Sequence, residues 1–181
     1  MKYISLIIAF IILGLQSAPA QNTFKPAERV YKRTNDYIKE AFVDVEPEKN
    51  SIWVYGALRD DINDILNNAE KPPVRYRYWK AGNRTVWVLE SLARTMMITT
   101  GVTVENDAIE DISVLIYRES RGAEIQNRSH RSQFYGAKLD KNNDLDKPIN
   151  GISGSTLSAN SMKRMGRMAL VLHKAVMATE D

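Results

Sequence analysis

Four stretches decide the fold: Arg75–Lys80 reads RYRYWK, Thr85–Glu90 reads TVWVLE, Met96–Asp107 reads MMITTGVTVEND, and Ala108–Glu119 reads AIEDISVLIYRE. β-branched and aromatic residues dominate them, the composition of pleated, half-buried strands. Gly82-Asn83 and Asn106-Asp107 punctuate the run as tight turns. Parallel strands would need crossovers of about a dozen residues or more, and the connections here are far shorter. The expectation is three or four antiparallel strands in a meander, with Tyr76, Tyr78, Trp79 and Trp87 as core or cross-strand aromatics.

Outward from the sheet, Leu157–Met177 predicts a long helix. Met162, Met165, Ala169, Leu172 and Val176 recur at three- and four-residue steps and form a packing stripe. On the other side, residues 27–43 place Val30, Tyr31, Ile38, Ala41 and Phe42 near helical spacing, with Pro26 ahead and Pro47 beyond. A second helix is expected over Leu58–Asn68, with Ile62, Ile65 and Leu66 on one side and Pro72-Pro73 as terminator. The fold class is therefore α+β: an antiparallel sheet closed on one side by the C-terminal helix, with short N-terminal helices. The reading divides the chain into residues 1–20, a helical segment 21–73, and a ligand-binding domain 74–181.

The first segment has a charged start, an apolar run from Ser5 to Leu15 and the small-residue ending Ser17-Ala18-Pro19-Ala20, the pattern of a cleaved secretory signal. An uncleaved anchor is the competing reading, although about 20 apolar residues are needed to span hydrocarbon. Export to the periplasm is expected, and membrane association is compatible with it. The 181-residue chain contains no cysteine, so disulfides, thiolate metal sites and Cys nucleophiles are excluded.

Lys and Arg number 25 against 22 Asp and Glu, and loss of Lys2 would leave a surplus of only +2. That balance does not imply nucleic acid. The basic residues do cluster, in Arg75, Arg77, Lys80 and Arg84 and again in Arg118, Arg121, Arg128 and Arg131. These are places to meet anions, or solvated strand edges.

Between Glu119 and the last helix the chain is polar, with apolar anchors at Ile125, Phe134, Tyr135 and Leu139. It ends in Asn150–Ser158, NGISGSTLS. Gly151 and Gly154 let backbone approach a ligand, and Ser153, Ser155 and Thr156 precede a helix start whose unpaired N–H groups and dipole suit a phosphate. Composition alone equally allows Ser155, Thr156 or Ser158 to be a plain N-cap. A Walker A loop is excluded because no Lys follows Gly154, and a nucleophile elbow because Ser155 stands where its second Gly belongs. Asp140–Asp146 begins like a calcium loop but has Leu145 at the sixth position and Gly151 at the twelfth, so it reads as a solvated loop.

NGISGSTLS resembles the flavinylation motif of the FMN-binding domain family, whose usual form is Asp, Gly, any, Ser/Thr, Gly, Ala, Thr/Ser. The family includes periplasmic subunits of sodium-pumping quinone reductase and related electron-transport complexes. The resemblance implies that a flavin transferase joins FMN by a phosphoester bond to Thr156, with Ile152, Ser153, Gly154 and Ser155 completing the loop. ESRGAE, Glu119–Glu124, is similar to the family's Glu-x-x-Gly loop against the flavin, and SQFYG, Ser132–Gly136, to its Gln-Phe-x-Gly segment. By that likeness Glu119, Ser120, Gly122 and Ala123 lie by the cofactor and Arg121 places charge near it. Coverage is about Thr85 to Val176. Two positions depart from the motif: Asn150 replaces Asp, removing a negative charge, and Ser155 replaces Ala.

The implied function is an exported electron carrier of the cell envelope, served by a flavin transferase and a membrane-bound or extracytoplasmic redox partner. A noncatalytic module holding a flavin or another phosphate ligand is the alternative.

Overall fold

A computed structural model describes residues 28–67 and 70–179. The segment expected to be a secretory signal and Pro26 lie outside the described residues. Six strands form one sheet: β1 (Arg29–Val30), β2 (Glu48–Trp53), β3 (Arg75–Ala81), β4 (Arg84–Leu92), β5 (Met97–Glu105) and β6 (Ala108–Tyr117). Their spatial order is β1-β6-β5-β4-β3-β2, and all pairs are antiparallel. From β3 to β6 this is the expected meander.

The turns behave as their residues dictate. Asn106 and Asp107 adopt φ of 51° and 62° between the paired Glu105 and Ala108. Positive φ at both central residues matches the right-handed twist of a hairpin, and Asn and Asp tolerate it. Gly82 and Asn83 join Ala81 to Arg84 in another two-residue turn, where positive φ falls on Gly82 at 55°.

Helix α4 (Thr156–Met177) lies across one face of the sheet. Met162, Met165, Ala169, Leu172 and Val176 are all buried, as their spacing requires, against Trp87, Leu89, Ile109 and Ile112. Helix α2 (Gly56–Leu66) packs beside α4 through Ile62, Ile65 and Leu66. Tyr78 stacks on Trp87 with ring centres 4.9 Å apart, a cross-strand pair within this core. Trp87 Nε1 donates to Thr85 Oγ1, whose hydroxyl pairs with His173 Nδ1 at 2.8 Å, so a buried polar chain locks α4 to β4. Burial lowers the His173 pKa.

Helix α1 (Thr34–Ala41) covers part of the opposite face. Tyr37 lies flat on Gly101, and any Cβ there would overlap its ring. The helix is shorter than its sequence spacing predicted. Val30 and Tyr31, expected on its apolar side, are instead exposed, and Val30 pairs with Ile116 in β1. Strand pairing with the β6 edge overrides the helical periodicity there. The segment before residue 74 likewise contributes a strand, β2, where helix was expected; its Glu-Lys-Asn-Ser start has no strand composition and forms only against β3. Helix α2 ends not at the prolines but at Asn67, whose left-handed φ of 52° places its N–H on Asn63 and Asp64 carbonyls.

Between β6 and α4 the polar segment folds as a 3₁₀ turn (Ala123–Gln126), the short helix α3 (Arg128–Arg131) and a second 3₁₀ turn (Ser132–Phe134). Ile125 and Phe134 anchor it in the core, as predicted.

Candidate functional site

The first turn of α4 is where sequence and structure converge. Ser155 occupies the N-cap position, yet its side chain makes no capping bond. Its hydroxyl donates instead to Glu124 Oε2 at 2.8 Å. The backbone N–H groups of Thr156, Leu157 and Ser158 meet no acceptor among the described residues; the first such bond of the helix is Ala159 N–H to Ser155 O. A plain capping role for Ser155 is thereby set aside, and three donors remain aimed outward at the positive end of the helix dipole.

A cleft of about 380 Å³ opens at this point. Its walls are Arg94, the segment Glu119–Arg121 and the segment Gly154–Ser158. Two stretches more than thirty residues apart, singled out separately in the sequence, thus face one cavity. Thr156 is exposed, and its hydroxyl makes no hydrogen bond with another described residue. Gly122 and Ala123 stand behind the wall, Gly122 buried and Ala123 packed on the core. Ser153 is exposed outside the lining, and Ile152 turns toward the core.

Gly122 explains how the two segments approach. Its φ is +92°, and a Cβ would sit 2.7 Å from Ser158 Oγ and 2.8 Å from Tyr117 Oη. Only glycine allows both the left-handed backbone and that contact. Tyr117 then donates to the Arg121 carbonyl and shares a hydrogen bond of 3.0 Å with Ser158. The end of β6, the 119–122 loop and α4 are pinned together by one phenol.

Glu119 is buried, and its carboxylate is turned to the β4–β5 connection. Oε1 accepts the backbone N–H groups of Arg94, Thr95 and Met96 at 2.7, 2.6 and 2.9 Å, and Oε2 accepts the Thr95 hydroxyl at 3.2 Å. Burial alone would raise its pKa, but these donors outweigh it and hold the carboxyl below its ordinary value. The ionised side chain therefore clamps the loop that carries Arg94. Arg94 and Arg121 are exposed, and neither guanidinium forms an ion pair with a described residue. Elsewhere in the arginine cluster, Arg118 is taken up by Glu28 and Thr99 and Arg131 by Asp111.

Gln133, from the SQFYG segment, also reaches the loop: its Oε1 accepts the Asn150 N–H at 2.8 Å. The Asn150 side chain, the motif's altered position, is exposed. In the Asp140–Asp146 loop, Asp140 Oδ1 accepts the N–H groups of Asn142 and Asp144, so that carboxylate shapes its own turn.

Sequence reasoning missed Arg94, Tyr117, Glu124 and Ser158. Arg94 sits in a run, Leu92–Met96, with no motif, and only the Glu119 clamp brings it to the cleft. Ser158 was visible as a hydroxyl next to the motif, but its pairing with Tyr117 depends on two elements packing.

An uncapped helix start, two arginines without ion pairs among the described residues and a glycine-opened loop over one cleft are an arrangement suited to a phosphate ligand. Residues 95–171 match the family model of the FMN-binding domain. The chain carries an FMN-binding domain, and FMN is the cofactor that this family assigns to it. The match spans β5, β6, the connecting turns and most of α4, within the stretch on which the loop resemblance rested. No curated protein matches the chain. The residues present fit the group: the cleft volume lies within the usual ligand-pocket range of about 300–1,000 Å³, and free donors line one end of it.

Proposed function

We propose that this flavin-binding protein is an exported electron carrier of the cell envelope, with FMN ester-linked through its phosphate to Thr156. The observation that carries the reading is the free Thr156 hydroxyl at an uncapped helix start, inside a cleft shared with Arg94 and Ser120–Arg121. The N–H groups of Thr156, Leu157 and Ser158 would bind phosphate oxygens, and Arg94 and Arg121 would balance their charge. Attachment forms the bond from Thr156 Oγ1 to the FMN phosphorus of a flavin dinucleotide as its phosphoanhydride breaks, the other half leaving as a nucleoside monophosphate and the hydroxyl proton passing to a base of the transferase. Once bound, FMN supplies one- or two-electron transfer, while the protein orients the ring and limits water. An ester keeps the cofactor at a permanent local concentration in a compartment where a free one would be lost by dilution. The partners are a flavin transferase and a membrane-bound or extracytoplasmic redox protein.

The test is intact mass after expression with and without a flavin transferase. The parent chain is expected to gain one FMN ester, and Thr156→Val to gain none. An adduct that persists in Thr156→Val would place the attachment elsewhere. A loaded protein that fails to bleach reversibly with a chemical reductant would favour a binding module over a carrier.

A further inference from the structure

Strand β2 is an outer edge of the sheet, and its pairing with β3 sets Lys49 beside Trp79, Ser51 beside Arg77 and Trp53 beside Arg75. Directly paired residues of antiparallel strands share a face. One face of this hairpin therefore presents Lys49, Arg75 and Arg77 together with Trp53 and Trp79, and these pairs include no acid. The Arg75 guanidinium lies 5.4 Å from the Trp53 ring centre, and the Lys49 ammonium 5.9 Å from that of Trp79. The opposite face, with Ile52, Tyr76 and Tyr78, packs on the α2–α4 core.

Helix α1 reaches Trp79 through Ile38 and Phe42 but leaves the Trp53 end bare. Trp53 is 59% exposed, Tyr55 76% and Val74 59%. Charges on an edge strand are ordinary protection against unwanted pairing. Large exposed aromatics are the opposite of protection and point to a partner surface.

The sheet also opens here. Pairing of β3 with β4 runs only from Tyr78–Trp87 to Ala81–Arg84. Beyond it the strands part around a cleft of about 460 Å³ whose cationic lining is Lys71, Arg75 and Arg77. None of the three forms an ion pair with a described residue. The two carboxylates at the rim are already engaged: Glu70 accepts from the Ser91 hydroxyl and the Leu92 N–H, and Glu90 from Thr99 and Arg118. The charges left unpaired in this lining are positive.

We infer that this hairpin face docks on an anionic membrane surface. Trp53, Tyr55 and Val74 enter the headgroup layer, where Trp and Tyr are favoured, and Lys49, Lys71, Arg75 and Arg77 meet lipid phosphates. The fork between β3 and β4 accommodates a headgroup. The Glu70 bond to Leu92 puts this face at the same end of the sheet as the β4–β5 connection that carries Arg94. Docking thus brings the flavin cleft's end of the domain toward the membrane. The surface argument stands without any flavin, so a missing flavin ester leaves the inference untouched.

The test is co-sedimentation of the full-length protein with phosphatidylcholine vesicles prepared with and without phosphatidylglycerol. Arg75→Glu/Arg77→Glu is expected to weaken partition onto the anionic vesicles by about tenfold or more and to flatten its salt dependence. Trp53→Ser/Tyr55→Ser is expected to weaken it at every salt concentration. All four side chains are exposed, so both variants should keep the parent's circular dichroism. Variants that partition like the parent, or a parent indifferent to phosphatidylglycerol, would overturn the inference.

Discussion

The first turn of α4 and its remaining turns face different problems. From Ala159 onward the core-facing side of the helix is sealed: Met162, Met165, Ala169 and Leu172 are fully buried, and His173 is locked through Thr85 to Trp87. In the first turn Leu157 is 50% exposed, Thr156 is exposed, and three N–H groups are left open. The buried turns hold the helix in place, so the first turn need not be satisfied by the protein and can be reserved for a ligand. This division explains why Ser155, the residue positioned to cap, bonds to Glu124 instead.

The comparison breaks most severely at Met165. Met165→Ala leaves a cavity beneath α4 and is expected to cost about 2–5 kcal/mol, read as a lowered denaturation midpoint. If the two regions are separable, the folded fraction should still accept the flavin ester at Thr156. Equal loss of stability and of ester formation per folded molecule would show that the first turn is not independent of the core.

Gly122→Ala sharpens the boundary from the other side. It forces a side chain into a φ of +92° and against Ser158 and Tyr117. The expected cost is about 1–3 kcal/mol, smaller than for Met165→Ala, while flavin loading should fall further than it does in that variant. Chemical denaturation and flavin absorbance on the same samples measure both.

The smallest effect is expected from protonating Glu119. Its pKa is held below the ordinary carboxylate value of 4.5 because three backbone N–H groups and the Thr95 hydroxyl favour the charged form over the opposing effect of burial. A carboxyl depressed in the folded state adds stability at pH above its unfolded value, and that contribution disappears as pH falls through the folded value. The parent should therefore lose stability in acid, below about pH 4.5, more steeply than Glu119→Gln, whose amide does not titrate. Denaturation midpoints from neutral pH downward check this. Parallel slopes would mean that the clamp contributes nothing.

Much of this was legible without coordinates. Alternation and turn residues announced β3 to β6, because a tight hairpin needs residues that tolerate positive φ and the sequence has them at Gly82 and at Asn106-Asp107. The methionine stripe announced the buried face of α4. β1 and β2 were not legible: Arg29-Val30 and the polar Glu48–Ser51 lack strand character and become strands only because an existing edge offers them hydrogen bonds. At the site, the Thr156 loop and the Glu119–Gly122 loop could be named from their residues. That they face one cleft, that Glu119 grips the β4–β5 connection, and that Arg94 belongs with them could not.

By itself, then, the amino-acid order determined the local alphabet of this protein: which segments pair as hairpins, which helix face is apolar, and which loop has the glycines and hydroxyls to meet a phosphate. Those properties depend on neighbours within a few residues. Only the tertiary structure decided what the loop does with them. Whether a helix start is capped or left open, and whether an arginine is paired or free, depends on groups brought together from distant parts of the chain. Here, Glu124 drawing Ser155 away from the cap and Glu119 fixing the loop of Arg94 are what turn a permissive sequence into a cleft with open donors for a phosphate.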